Sequence, residues 1–287
     1  MPELPEVETI ARELDARLSG RTIGKVSVRR DDVLRGASSS EVEARSVGQQ
    51  VLRVWRRAKT AVLSLSGGMH LLVQPRFTGA LLVQDGAPSG AGGSTGAEPD
   101  SPDADPFAAV IWTLAGGGAF WYRDVRRLGT VTLADESALA AYSRRIGPEP
   151  LDPAFDAARL SGILRGSRMA IKKVLMDQRY LAGVGNIYAN EALWRAGIDP
   201  SRPARSVAPV EAGRLHAALV EVLDASIRSG GTTFRDYRDP SNRAGSYAAQ
   251  LRAYGRGGEP CHRCGARLTE THTIDGRSTV FCHRCQR

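Results

Sequence analysis

Four cysteines, Cys261, Cys264, Cys282 and Cys285, are the only ones in a chain of 287 residues, and they constrain its C-terminal end more tightly than any other feature. Two C-x2-C pairs standing 17 residues apart have the spacing of a four-thiolate zinc site. Each pair makes a tight turn that aims two sulfurs at one ion, and a hairpin between the pairs closes the set. Four thiolates fill a tetrahedral shell and leave no position for a reactive water, so a single structural Zn2+ is expected. A secreted, disulfide-stapled domain would be shorter and would scatter its cysteines.

Upstream of that module the hydrophobic pattern changes once. Val7, Ile10, Leu14 and Leu18 recur at helical spacing, and Gly20 supplies a stop. From about 21 to 132 the chain breaks into short β-rich runs at 51–55, 61–65, 70–74, 80–84, 108–114, 120–122 and 130–133, bounded by Gly, Pro or polar turns. Beyond 133 the texture is helical, over 136–145, 154–165, 169–178, 186–196 and 210–229. The pattern predicts an α+β multidomain protein. A β-sandwich with a leading helix spans 2–133, a helical domain 134–233, a polar and basic connector 234–258 and the zinc hairpin 259–287. Within the first domain, 85–106 is rich in Gly, Ser, Pro and Ala, with five acids and no Lys or Arg, and reads as a disordered insertion.

The net charge is +8 and the isoelectric point about 9.7, which suits a polyanionic partner. No apolar run reaches the roughly 18 residues of a membrane span, and the N-terminus lacks a signal-peptide layout. A cytoplasmic protein is expected.

The first residues carry the most pointed chemistry. Behind Met1 the chain reads Pro2-Glu3-Leu4-Pro5-Glu6-Val7-Glu8. Removal of Met1 exposes a secondary amine with a carboxylate next to it. A free α-amino group titrates near 7.7–8.0, in about the range where a neutral fraction exists at neutral pH. Attack of such an amine on an aldehyde-like sugar carbon gives an iminium that cannot lose its charge by N–H loss, a covalent electron sink. Further along, Gly183 and Gly185 precede a helix, an arrangement that lets a phosphate approach exposed backbone N–H groups; Asn186 either caps that helix or donates to the same phosphate.

The string Ala182-Gly183-Val184-Gly185-Asn186-Ile187-Tyr188-Ala189-Asn190-Glu191 resembles the helix–two-turn–helix element of the formamidopyrimidine-DNA glycosylase and endonuclease VIII family of bacterial base-excision repair enzymes. The resemblance then extends along nearly the whole chain in order. The opening with Leu4 resembles the formamidopyrimidine branch. Arg56-Arg57-Ala58-Lys59 resembles the hairpin turn whose lysine contacts DNA beside the lesion, and Asp124-Val125-Arg126-Arg127-Leu128-Gly129 the loop that fills the gap left by a flipped nucleotide. Gly147-Pro148-Glu149-Pro150 resembles the interdomain junction. Ala170-Ile171-Lys172 and Met176-Asp177-Gln178 resemble the helix before the two-turn element. Thr232-Thr233 and Asp236-Tyr237 resemble the entry to the lesion-capping region. Arg277 stands on the cysteine hairpin where the family has its phosphate-gripping arginine.

What the resemblance implies is a bifunctional DNA glycosylase and abasic-site lyase acting on oxidised purines in double-stranded DNA as a monomer. Pro2 would be the nucleophile, Glu3 the proton-transfer partner and Glu6 an electrostatic support. Lys59, Lys172, Asn186 and Arg277 would contact DNA. Arg126 would face the orphaned base and recognise cytosine. Phe77 stands where a methionine wedge is usual and Leu128 where a phenylalanine is, so an exchange of aromatic and aliphatic wedge roles is expected. Two other readings are an enzyme directed at oxidised pyrimidines, which Leu4 disfavours, and a non-catalytic damage-binding protein.

Overall fold

The computed structural model describes residues 2–86, 101–233 and 237–287. Met1, the 87–100 stretch of the acidic insertion and residues 234–236, Asp236 among them, lie outside it. The chain divides into two compact units. The first comprises Met1–Pro2, Glu6–Ser143 and Gly230–Gly245, and the second Glu3–Pro5, Arg144–Ser229 and Ser246–Arg287.

In the first unit, helix α1 (Leu4–Leu18, its first turn counted with the second unit) leads into β1 (Ile23–Val28), β2 (Leu34–Arg35), α2 (Ser39–Ser46), β3 (Val51–Arg57), β4 (Thr60–Leu65) and β5 (Met69–Gln74). Then come β6 (Gly79–Gln84), β7 (Ala108–Leu114), β8 (Ala119–Asp124), β9 (Thr130–Asp135) and α3 (Glu136–Arg144). The strands form a five-stranded sheet, β2-β9-β5-β4-β3, and a four-stranded sheet, β1-β7-β8-β6. One apolar core takes Leu63, Leu71 and Val73 from the first sheet, Leu81, Val110, Trp112 and Tyr122 from the second, and Val7, Ile10, Leu14 and Leu18 from α1. Two sheets sharing one core make the expected sandwich. The helix spacing read from the sequence is therefore the stripe that faces this core.

Residues 21–50 hold more structure than their weak patterning suggests. Ser38 caps α2 in a capping box with Glu41, and β1 lies antiparallel to β7. The acidic insertion also departs from expectation at its described end. Asp105 is buried and accepts from Trp121 Nε1 at 3.0 Å, Arg123 Nε at 2.9 Å and the Phe107 N–H at 2.9 Å. Composition predicts solvation for 101–106, but a carboxylate paired to a buried arginine ties that end onto β8.

The second unit is helical around its own core: α4 (Ala157–Arg165), α5 (Ile171–Met176), α6 (Asn186–Ala196) and α7 (Pro209–Arg228), followed by the hairpin β10 (Thr269–Thr271) and β11 (Thr279–Phe281). Asp156 caps α4 through the Arg159 N–H. Leu4 is fully buried in this helical core, which is why Glu3–Pro5 belong with it. Among the described residues, no helix is long and apolar enough to cross a membrane.

Asp105→Ala would leave the buried Arg123 guanidinium without its carboxylate. Breaking a buried pair from one side costs roughly 3–5 kcal/mol, so the variant should show a matching drop in urea-unfolding free energy. A loss no larger than a surface substitution would contradict the anchoring role.

Candidate active site

In the second unit the two glycines before α6 prove to serve the chain's own beginning. The Leu4 N–H donates to the Gly183 carbonyl at 3.0 Å. Gly183 has φ +77°, and a Cβ there would stand 2.7 Å from the Leu4 Cβ. A Cβ on Gly185 would stand 2.3 Å from the Glu3 carboxyl carbon. Glu3 Oε1 accepts the Ile187 N–H at 3.0 Å, a helix N-cap supplied from 184 residues away. Sequence alone suggests phosphate approach at these glycines; the space they leave is filled by Glu3 and Leu4. Gln178 shapes the same turn, accepting from the Gly183 N–H at 2.8 Å and donating to the Val184 carbonyl at 2.9 Å.

Asn186, the first residue of α6, does not cap it. Its Nδ2 donates to the Ser278 carbonyl at 3.0 Å. Lys172 Nζ reaches the same carbonyl at 3.1 Å, and Asn190 Nδ2 at 3.5 Å. Asn190 Oδ1 accepts the Val280 N–H at 2.7 Å. These donors clamp the loop that carries Arg277, whose own N–H donates to Asp275 Oδ1 at 3.0 Å while its side chain is exposed. Lys172, expected to contact DNA, is held inside the protein here. Its side chain is 0% exposed, and the ammonium also bonds Thr279 Oγ1 at 2.7 Å and lies 3.6 Å from Asp275. Burial pushes the Lys172 ammonium pKa down, and Asp275 works against that. A surface basic residue and an internal clamp look alike in sequence.

The sequence places Tyr254 only in the connector. Its hydroxyl bonds Asn186 and feels the Glu3 carboxylate; burial, then that charge, raises its pKa. Asn190 and Gln178 stand in sequence only as members of motifs, and Tyr254 only as part of the connector; none receives a role there, because each acts through a partner far away in the chain or through a turn it does not itself form.

The first unit carries the other candidates. Pro2 is buried. Glu6 is 1% exposed and its Oε1 accepts the Thr232 N–H at 2.7 Å, while Gly231, at φ +88°, leaves room for its methylene. Glu6 thus anchors the Gly230–Gly245 segment to α1. Lys59, also buried, follows Ala58 in the two-residue turn between β3 and β4, where Ala58 takes φ +53°. Arg56 braces that turn by donating to the Ala58 carbonyl at 3.1 Å and to Glu8 at 2.8 Å. Burial raises the Glu8 carboxyl, but Arg56 and Arg12 outweigh it and hold the pKa below the usual value. Phe77 and Leu128 are exposed apolar side chains, 47% and 40%, and the Arg126 guanidinium lies 5.4 Å from the Phe77 ring centre.

The four cysteine sulfurs lie within 4.8 Å of one another, with Cys264 and Cys282 at 3.5 Å. Tetrahedral zinc with bonds of about 2.3 Å needs sulfurs about 3.8 Å apart, so the set fits one structural Zn2+. Gln286 holds the second knuckle by accepting the Cys282 N–H at 2.8 Å.

Family models match in the same order as these parts. The formamidopyrimidine-DNA glycosylase N-terminal domain matches 1–131, the formamidopyrimidine-DNA glycosylase H2TH domain 146–238, and the zinc finger found in FPG and IleRS 258–287. The chain belongs to the formamidopyrimidine-DNA glycosylase family. Among its relatives, the formamidopyrimidine-DNA glycosylase of Moorella thermoacetica is 43% identical over 270 residues, 93% of each chain, and that of Halorhodospira halophila is 42% identical over the full length of both. Solved structures agree. The MutM (Fpg) protein of Thermus thermophilus superposes with a TM-score of 0.84 at 35% identity, covering 99% of this chain and 98% of its own. The Lactococcus lactis Fpg, in complex with a DNA containing an abasic site, reaches 0.86 at 30% identity over 99% of both chains.

Chelating the zinc should release the finger selectively. Hydrogen exchange at the Val280 and Cys282 amides is expected to become fast while β4 and β5 stay protected; unchanged protection in a metal-free protein would contradict the structural role.

Proposed function

We propose that this chain excises oxidised purines from double-stranded DNA and then cleaves the resulting abasic site, with Pro2 as the covalent nucleophile. The Pro2 amine attacks C1′ as the glycosidic bond breaks and the base departs. Glu3 handles the proton transfers at the sugar and base. The iminium acidifies the C2′ proton; its removal expels the 3′ phosphate, and a second elimination expels the 5′ phosphate. Hydrolysis returns the amine.

The observation that carries this reading is the engagement of Glu3. A carboxylate next to the N-terminal amine is locked onto the Ile187 N–H at the start of α6, in a space that a Cβ at 185 would fill. A generic helix-start acid would not need its own slot. Lys59, Asn186 and Arg277 are proposed to hold backbone phosphates, which fixes register without reading sequence. Lys172 is proposed as a positioning residue that aims Arg277 through Ser278 and Asp275. Glu6 positions the 230–245 segment. Phe77 and Leu128 fill the space that a flipped nucleotide leaves, and Arg126 reads the base opposite. The zinc, when bound, stiffens the hairpin and takes no part in the bond changes.

Mature protein incubated with an 8-oxoguanine·cytosine duplex and borohydride should give a stable protein–DNA adduct. Glu3→Gln should slow base release by about 10²–10⁴-fold, the usual contribution of a positioned acid–base group, with a smaller effect on a preformed abasic site. No adduct with either the lesion or a plain abasic duplex would reject the reading.

A further inference from the structure

Asp124 stands at the end of β8 with 2% of its surface exposed. Its two carboxylate oxygens collect four donors. Oδ1 accepts the Thr78 hydroxyl at 2.6 Å and the Arg126 N–H at 3.2 Å; Oδ2 accepts the Tyr122 hydroxyl at 2.9 Å and the Gly129 N–H at 2.8 Å. The Arg126 N–H is shared with Thr78 Oγ1 at 3.0 Å. Thr78 belongs to one turn, 76–79, Arg126 and Gly129 to another, 124–129, and Tyr122 to β8 itself, so one carboxylate joins both turns to the strand. The joint is tight. A Cβ on Gly129 would fall 2.0 Å from the Tyr122 hydroxyl, and one on Gly79 2.6 Å from it. Arg127 adopts φ +53° inside the second turn, a conformation costing a non-glycine residue roughly 1–2 kcal/mol, and pairs with Asp32 at 2.9 Å. Strain of this kind persists only where the surroundings over-determine the backbone.

The exposed face of the joined turns presents Phe77, Arg126 and Leu128, with Arg126 over the Phe77 ring. An unrestrained arginine loses much rotamer freedom on docking, and fixing its backbone and bracing its guanidinium beforehand reduces that loss. Burial pushes the Asp124 carboxyl pKa up, but Thr78, Gly129, Tyr122 and Arg126 more than reverse it, so the carboxylate is ionised at neutral pH and accepts all four donors.

We propose that Asp124 is the positioning residue for opposite-base selectivity: it fuses the two turns into one preformed block, so that Arg126 meets the orphaned base already oriented, while Asp124 itself touches no DNA. The inference rests on the reading of Arg126 given above. It predicts that selectivity and base release are separable through a residue outside the catalytic groups.

The test is single-turnover release of 8-oxoguanine opposite cytosine, opposite adenine and opposite an abasic position, with the zinc-loaded full chain. Asp124→Asn keeps the shape but replaces one acceptor with a donor. It should cut the cytosine-over-adenine ratio by about tenfold, the equivalent of one charged hydrogen bond, with release opposite the abasic position, which offers Arg126 no base to read, lowered less than release opposite cytosine. Thr78→Val should act in the same direction, and Thr78→Ser, which keeps the hydroxyl, should restore the ratio. A merely structural role would instead lower all three substrates in parallel with the folded fraction. If Asp124→Asn does not fold, the Thr78→Val and Thr78→Ser pair decides. An unchanged ratio in folded variants, or a uniform loss, overturns the proposal alone; a wild-type protein that releases base from none of the duplexes overturns the glycosylase reading with it.

Discussion

One hydrogen bond organises the second unit: the Glu3 carboxylate accepting the Ile187 N–H at the start of α6. A helix N-terminus offers unsatisfied N–H groups and a partial positive charge. Most helices meet that demand with a local Ser, Thr, Asp or Asn. Here the cap position is Gly185, which has no side chain to give, and the acid comes from the far end of the sequence. The absence of a Cβ at 185 is what makes the slot, and the Leu4 N–H bond to Gly183 sets its depth. The proposed catalytic carboxylate and the two-turn motif are thus one feature. A side chain at either glycine would push the first residues out of place.

The same device recurs with other acids. Glu6 holds Thr232, Asp105 holds Trp121 and Arg123, Asp124 joins two turns, and Glu191 accepts the N–H groups of Arg252, Ala253 and Tyr254. Each carboxylate is almost fully buried. Burial raises the Glu191 pKa, and its three backbone donors pull against that. Charge-assisted bonds of this type are worth about 1.5–3 kcal/mol each, enough to fix a loop that has little apolar surface of its own. The result is a basic protein whose acids do much of the internal anchoring, leaving residues such as Arg126 and Arg277 at the surface. That division suits a polyanionic partner better than the net charge alone indicates.

Much of this was legible in the sequence, for reasons that can be named. The strands at 61–65 and 108–114 are nearly continuous apolar runs between turns, and α7 keeps Leu215, Leu219, Val222 and Leu223 at helical spacing. The cysteine spacing left one arrangement. By contrast, β1 and α2 have weak periodicity and depend on pairing with β7 and on a cap. The clamp made by Lys172 is invisible in sequence because its partners, Ser278 and Thr279, lie more than a hundred residues away. The glycines of the two-turn element stand out in sequence but with the wrong occupant, since a phosphate and a carboxylate make the same demand of a backbone. Residues 101–106 look solvated by composition, and long-range bonds order them: Asp105 with Arg123 and Trp121, and Asp103 and the Pro102 carbonyl with Arg29.

The slot at Gly185 holds the Glu3 carboxylate against the start of α6. The most direct measurement is the rate of borohydride-trappable adduct formation by Gly185→Ala on a lesion duplex, alongside its zinc content and thermal midpoint. Alanine suits the extended backbone there, at φ −132°, so the fold should survive. Its Cβ would nevertheless stand 2.3 Å from the Glu3 carboxyl carbon and must displace it. Gly185→Ala should give a folded, zinc-loaded protein that forms adduct far more slowly than wild type. A folded variant that forms adduct at the wild-type rate would contradict it.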